Sequence, residues 1–152
     1  MKYIVADTCI VMHILRNNAI GQAALKWLSE VGYEYTFVIS VVTKAELHSL
    51  KLQLGWGATR SADLDAFLQK VTYIDINHTD ETLLEQYATI DAYSKGKHPD
   101  LKGNMKGGSA HTMGKNDLWI AATAAVIDAV LLTGDGGFDH LNGTFLKIEK
   151  FN

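Results

Sequence analysis

The sequence predicts an α/β protein with three layers, α/β/α, in which helices cover both faces of a central parallel sheet of about five strands. Short apolar segments rich in β-branched and aromatic residues alternate with longer segments of helical periodicity. Alternation on this scale is typical of strand–helix–strand crossovers in parallel sheets. The chain has 152 residues, of which 47% are hydrophobic. A chain of this length and hydrophobic content fits one domain with one core, and we expect a single domain over residues 1–152.

The predicted strands are short and mostly apolar, as buried parallel strands are. They are Lys2 to Ala6, Tyr35 to Ser40, Tyr73 to Ile76, Val130 to Thr133 and, as a candidate fifth, Phe145 to Ile148. In open parallel sheets, ligands bind beyond the carboxyl ends of the strands. Polar residues that directly follow a strand are therefore the first candidates for a functional site.

Apolar residues at helical spacing predict the helices between these strands. The helices follow Asp7, contain the stripe from Ile20 to Val31, run roughly from Val42 to Leu54, follow Asp80, and span Leu118 to Ile127. The last of these segments is apolar nearly all round, which indicates a buried helix.

Residues 94–114 form a long connection that is rich in glycine and holds the only proline. From residue 95 to residue 115 there are five lysines and one acid, so this stretch carries +4 while the net charge of −3 leaves −7 elsewhere. A cationic strip on an acidic body favours contact with phosphates, and Lys102 and Lys106 are its candidate substrate contacts. The alternative is an ordinary solvated loop.

Four carboxylates are the candidate catalytic residues: Asp7, Glu46, Asp117 and Asp135. Asp7 and Asp135 come just after strands, Asp117 opens the helix that leads to the next strand, and Glu46 borders an apolar helix face. Beside them stand Thr8, Asn116 and Thr133, which are further candidate substrate contacts or groups that orient a carboxylate.

Each acid also has a local structural alternative. Asp7 is a suitable N-cap for the helix that follows it, and either Asn116 or Asp117 suits the same role further along. Thr43 to Glu46 matches a capping box, in which the glutamate reaches back to the cap's own amide. An aspartate before glycine, as at Asp135, suits a plain turn.

If the four acids converge, their mutual repulsion is large. Two unit charges about 5 Å apart at an effective dielectric of about 20 repel by roughly 3 kcal/mol, and four carboxylates make six pairs. That sum rivals the ~5–15 kcal/mol that stabilises a whole domain. The cluster must therefore take up protons or bind a cation. An all-oxygen site suits Mg²⁺, or Mn²⁺, and we expect Asp7, Asp117 and Asp135 as its ligands.

At these residues the sequence resembles the PIN-domain nucleases, and within them the VapC toxins of toxin–antitoxin pairs. The matching segments, in the family's order, are IVADTCIVMHIL, SVVTKAEL, KNDLWIAATA and LLTGDGGF. The resemblance implies a five-stranded parallel sheet, Mg²⁺-dependent endonucleolytic cleavage of RNA, homodimerisation and inhibition by a cognate antitoxin. By position, Asp7, Glu46, Asp117 and Asp135 would be the acidic quartet, with Asp139 as a possible supporting acid.

Three other functions compete with this hypothesis. An aspartyl-phosphate phosphatase would also place an aspartate after the first strand, but it needs a second one two residues later, where Cys9 stands. Cys9 and His13 share a helix face as zinc ligands would, but two ligands are not a site. A PIN-like fold with an incomplete site can act as a binding module, and the presence of all four acids favours an enzyme instead.

The compartment is inferred from what the sequence lacks. A single cysteine cannot build an internal disulfide framework. No signal-peptide cleavage pattern follows the N-terminus, and no apolar run approaches the roughly 18 residues that span a bilayer. We therefore expect a cytoplasmic protein without a membrane partner.

Overall fold

A computed structural model describes residues 2–31, 34–101 and 112–152. Its five strands form one parallel sheet in the order β3-β2-β1-β4-β5. They are β1 (Lys2–Ala6), β2 (Tyr35–Ser40), β3 (Thr72–Ile74), β4 (Val130–Thr133) and β5 (Lys147–Lys150). The chain extends the sheet from β1 in one direction and then in the other, so the strand order reverses between β1 and β4. This is the position at which such sheets bind ligands.

In the described ranges, six α-helices pack against the two faces of this sheet. They are α1 (Thr8–Arg16), α2 (Ala19–Val31), α3 (Val41–Gln53), α4 (Ala58–Lys70), α5 (Glu81–Ser94) and α6 (Lys115–Val126), and a 3₁₀ helix spans Gly136–Leu141. Among the described residues, no helix is both long and apolar enough to cross a bilayer.

The apolar core consists of two clusters separated by the sheet. Val5 of β1 belongs to the cluster formed with α5 and α6, whereas Ile4 and Ala6 belong to the cluster formed with α1, α2 and α4. Successive side chains of a strand point to opposite faces, so β1 contributes to both. The predicted three-layer α/β/α fold is confirmed.

Two strands differ from the predicted bounds because pairing sets their register. β3 spans Thr72–Ile74 and ends where Ile74 pairs with Ser40, the last residue of β2. β5 begins at Lys147, opposite Val130 of β4. Phe145, predicted to open this strand, instead packs edge-on against Tyr93, with ring centroids 5.1 Å apart.

Candidate active site

Asp7 lies at the carboxyl end of β1, between β1 and β4, and its side chain is 3% exposed. Its backbone N–H donates to the Leu132 carbonyl of β4 over 3.0 Å. Its Oδ1 accepts the Ile10 N–H over 2.9 Å and so caps α1. Its Oδ2 accepts a hydrogen bond from the Thr133 hydroxyl. Asp7 is thus the predicted N-cap and, with its second oxygen, also part of a buried polar cluster.

Thr133 connects Asp7 to Asp135. Thr133 is the last residue of β4 and is fully buried. Besides donating to Asp7, its hydroxyl accepts the backbone N–H of Asp135 over 2.9 Å. The Asp135 carboxylate is exposed and accepts the Gly137 N–H over 2.9 Å, which caps the 3₁₀ helix. The local turn geometry therefore holds Asp135 beside the end of β1.

Glu46 enters the cluster from α3. The cap of α3 is Ser40, whose hydroxyl accepts the Val42 N–H over 3.1 Å. The capping box considered for Thr43 and Glu46 is therefore wrong, because the helix already begins before Thr43. The half-buried Glu46 side chain instead accepts a hydrogen bond from the Thr8 hydroxyl of α1 over 2.7 Å.

Asp117 lies in the first turn of α6, where the N-cap is Gly114. Neither Asn116 nor Asp117 is therefore the cap of this helix. The helix N-terminus carries a partial positive charge, which favours a carboxylate in the first turn. Asn116 is exposed and, together with Glu46, lines a groove of about 440 Å³ along α3.

A buried contact outside the sheet also helps to place Asp117 and Asp135. Ser94, at the end of α5, donates to the Met113 sulfur over 3.4 Å and lies 2.7 Å from His140 Nε2. Met113 precedes Gly114, the N-cap of α6, and His140 belongs to the 3₁₀ helix that Asp135 caps. Ser94 therefore contacts the segment that leads into α6 and the 3₁₀ helix that follows Asp135.

The acids share one electrostatic environment. Burial raises the pKa of Asp7 to about 6, the charges of Asp117 and Asp135 add to this rise, and the hydrogen bonds from Thr133 and Ile10 oppose it. Burial also raises the pKa of Asp117, with further contributions from Asp135 and Glu46. The charges of the other acids thus contribute to the raised pKa values of Asp7 and Asp117.

No lysine, arginine or histidine of the described ranges forms an ion pair with these four acids. The ion pairs found there are Lys51 with Asp65, Lys95 with Asp91, and Lys150 with Asp139. The supporting acid Asp139 is thus 2.9 Å from an ammonium group supplied by β5. Among the residues that the structure describes, no cation therefore neutralises these four acids.

The PIN domain family profile matches residues 4–143, which is most of the chain. The chain belongs to the PIN-domain family. The four acids of this PIN domain all lie within the matched residues, and the predicted family membership is confirmed.

Solved structures of toxin–antitoxin proteins share this fold. VapBC2 from Rickettsia felis bound to a DNA fragment from their promoter has 20% identity over 99% of both chains, with a TM-score of 0.66. VapBC-1 from nontypeable Haemophilus influenzae has 22% identity over 99% of this chain and 98% of that chain, with a TM-score of 0.67. FitAcB from Neisseria gonorrhoeae has 23% identity over 98% of this chain and 96% of that chain, with a TM-score of 0.65. At these identities the likeness shows the fold alone. No curated protein matches the chain significantly.

The donors of this PIN domain fit a hydrated Mg²⁺ or Mn²⁺ better than an enclosed ion. Within residues 2–31, 34–101 and 112–152, no three His, Cys, Asp or Glu side chains are grouped tightly enough to hold a metal. Mg²⁺ binds through one or two carboxylates and keeps several waters, so it needs no such cage. Carboxylate oxygens without a neutralising cation are the donor set that such an ion requires.

The remaining predicted residues have different outcomes. Lys102 and Lys106 lie outside the described residues. His13 Nδ1 lies 2.7 Å from Asn18 Nδ2 and hydrogen bonds with that amide. Cys9 and His13 therefore gain no third partner that would support the zinc alternative among the residues described. The threonine at position 43 was not a predicted site residue, although its hydroxyl lies 3.4 Å from that of Thr8.

Proposed function

We propose that this PIN domain is a Mg²⁺-dependent endoribonuclease and the toxin of a type II toxin–antitoxin pair. The observation that carries the proposal is the group of carboxylates around the buried Asp7, at the point where the strand order reverses, with which no cation of the described residues forms an ion pair. Family membership and the likeness to toxin–antitoxin structures support the same function.

Asp7, Asp117 and Asp135 would hold the ion together, one or two of them directly and the others through its bound waters. When bound, Mg²⁺ or Mn²⁺ supplies Lewis-acid stabilisation of the negative charge that develops on the scissile phosphate. Thr133 holds one Asp7 oxygen through its hydroxyl, and α1 uses the other, so the carboxylate has one fixed orientation. A fixed orientation of this kind lowers the reorganisation needed during the reaction.

Glu46 is the proposed general base, which accepts a proton from the attacking water. It lies on α3, and its carboxylate accepts a hydrogen bond from Thr8 of α1. Asn116 lies beside it on the groove along α3 and would contact the RNA next to the scissile bond. Lys102 and Lys106 would contact phosphates further along the strand, because lysines bind phosphates without regard to sequence.

A cleavage assay tests this function directly. We expect purified protein to cut structured RNA in the presence of Mg²⁺, to stop in EDTA, and to resume when Mg²⁺ is added in excess. Single-stranded DNA of the same sequence serves as the substrate control. Cleavage that persists in EDTA would contradict the metal requirement, and intact RNA under all conditions would favour the binding module.

We further propose a homodimer that a cognate antitoxin inhibits. Leu25 is 45% exposed on an apolar groove of about 530 Å³, which Ile14, Leu28, Phe37 and Phe67 also line. Grooves of this character bind the apolar face of a partner helix. A small protein encoded beside this chain is the probe. This small protein should suppress RNA cleavage by the wild type and suppress cleavage by the Leu25→Asp variant less well. Light scattering of the purified PIN domain should give twice the mass of one chain. Equal suppression of the variant would exclude this groove.

A further inference from the structure

The hydroxyls of Thr43 and Thr8 connect the first turn of α3 to the Glu46 carboxylate. We propose that Thr43 is a positioning residue, which holds the Glu46 carboxylate in place by acting through Thr8. The proposal rests on the proposed nuclease function, in which Glu46 is the general base.

The three polar groups are connected by one short hydrogen bond and one longer, weaker contact. Thr43 is fully buried, and its Oγ1 lies 3.4 Å from the Oγ1 of Thr8. The same Thr8 oxygen lies 2.7 Å from Glu46 Oε1. Thr43 and Glu46 both belong to α3, whereas Thr8 belongs to α1. The polar contacts therefore lead from Thr43 on α3 to Thr8 on α1 and back to Glu46 on α3.

The direction of the hydrogen bonds follows from the number of protons available. An ionised carboxylate only accepts, and a hydroxyl has a single proton to donate. Thr8 donates its proton to Glu46, so the proton between the two hydroxyls must come from Thr43. The order of donors is thus Thr43 to Thr8 to Glu46.

Thr123 shows what a buried helical threonine does when it has only a structural role. Its hydroxyl donates over 2.8 Å to the carbonyl of Trp119, four residues earlier in α6. This bond within one helix is the usual choice for threonine in a helix interior. Thr43 is equally buried but lies in the first turn of α3, where the residue four positions earlier, Ile39, belongs to β2, and its hydroxyl lies beside Thr8 of α1.

The consequence for Glu46 is orientation. Thr8 directly follows Asp7, so its backbone is fixed by the hydrogen bonds at the end of β1. Without the Thr43 hydroxyl, Thr8 keeps its hydrogen bond to Glu46 but loses its second polar contact, so the Thr8–Glu46 pair is held in place less firmly. The glutamate would then sample other rotamers, and a general base works only within hydrogen-bond reach of the proton that it accepts.

Three variants test the role of Thr43 in RNA cleavage. Thr43→Val keeps the shape and removes the hydroxyl, Thr43→Ser keeps the hydroxyl, and Thr123→Val is the matched control. We expect Thr43→Val to lower kcat by about tenfold to a hundredfold with KM unchanged, because misplacing a catalytic group by about 1 Å can cost a hundredfold. Thr43→Ser should recover most of kcat. Thr123→Val should cleave like the wild type.

Two results would overturn the proposal. One is a Thr43→Val protein with wild-type kcat. The other is a Thr43→Val protein whose loss of activity is matched in full by Thr43→Ser, or whose loss appears in KM and not in kcat. Thermal unfolding of both valine variants identifies any loss that comes from misfolding.

A second readout separates this proposal from the nuclease function. The carboxyl-carbon NMR signal of Glu46 should move in Thr43→Val and stay in place in Thr43→Ser. This measurement needs no substrate, so it decides the role of Thr43 even if the wild type leaves RNA intact. An unmoved Glu46 signal in Thr43→Val would reject the hydroxyl chain.

Discussion

Asp7→Asn is expected to abolish RNA cleavage and to leave the fold intact or more stable. The change removes the central charge of the acidic cluster and with it most of the affinity for a divalent cation. Metal ions contribute several kcal/mol of transition-state stabilisation, so cleavage should fall by at least about a hundredfold. Stability should not fall, because asparagine caps helices as well as aspartate does. The Ile10 N–H that Asp7 now receives keeps an acceptor.

The chain provides a matched control for this variant. Asp80 is the N-cap of α5 and accepts the Leu83 N–H over 3.1 Å, but it is not among the acids that raise the pKa of Asp7 or Asp117. Asp80→Asn should therefore retain cleavage and stability. RNA cleavage rates and thermal unfolding of both variants check the prediction. If Asp7→Asn cleaves within twofold of the wild type, the acidic cluster is not the catalytic site.

The strands could be predicted because buried strands consist of short runs of apolar residues. β1, β2 and β4 have the predicted bounds, and each ends in residues that are fully or almost fully buried. Helix α4 was not predicted. It contributes only Leu64 and Leu68 to the buried core, and its cap, Gly57, makes no side-chain hydrogen bond. Both the apolar stripe and the capping signal that identify a helix are weak in this segment.

The candidate residues of the site could be named from the sequence, but the contacts between them could not. The strand-end rule placed Asp7 and Asp135 at one edge of the sheet. The contact between Thr133 and Asp7 joins residues 126 positions apart, and that between Thr8 and Glu46 joins residues 38 apart. Such pairs depend on how β1 lies beside β4 and how α1 crosses α3. Local patterns in a sequence do not specify either arrangement.

The capping box at Thr43 shows why local rules fail in this region. Two hydroxyl residues, Ser40 and Thr43, compete to begin the same helix, and both have the chemistry of a cap. The end of β2 decides between them, because Ser40 is the last residue paired with β3 and the helix starts at once. Thr43 and Glu46 are then already helical, and their side chains turn to Thr8. Asp139 likewise forms an ion pair with Lys150, and this pair depends on the position of β5 beside the 3₁₀ helix.

The stability of the metal-free protein is expected to fall as the pH rises from about 4 to about 6. Burial raises the pKa of Asp7 from its ordinary value of 3.8 to about 6. Between these two values the folded protein holds a proton that the unfolded chain has released, so raising the pH favours unfolding. The loss should amount to about 3 kcal/mol and be complete above the folded-state pKa. The raised pKa of Asp117 acts in the same direction.

Urea denaturation in EDTA across this pH range, for the wild type and for Asp7→Asn, isolates the contribution of Asp7. Other ionisable groups affect both proteins, so the difference between the two curves should grow by about 3 kcal/mol in favour of the variant as pH rises. Two parallel curves would show that Asp7 ionises without penalty. Mg²⁺ should reverse the sign of the effect in the wild type alone, because an ion that binds only the folded, ionised cluster adds stability by mass action. Protons and Mg²⁺ would then be alternative ways of neutralising the same four carboxylates, and Mg²⁺ should bind more tightly above about pH 6, where Asp7 is ionised.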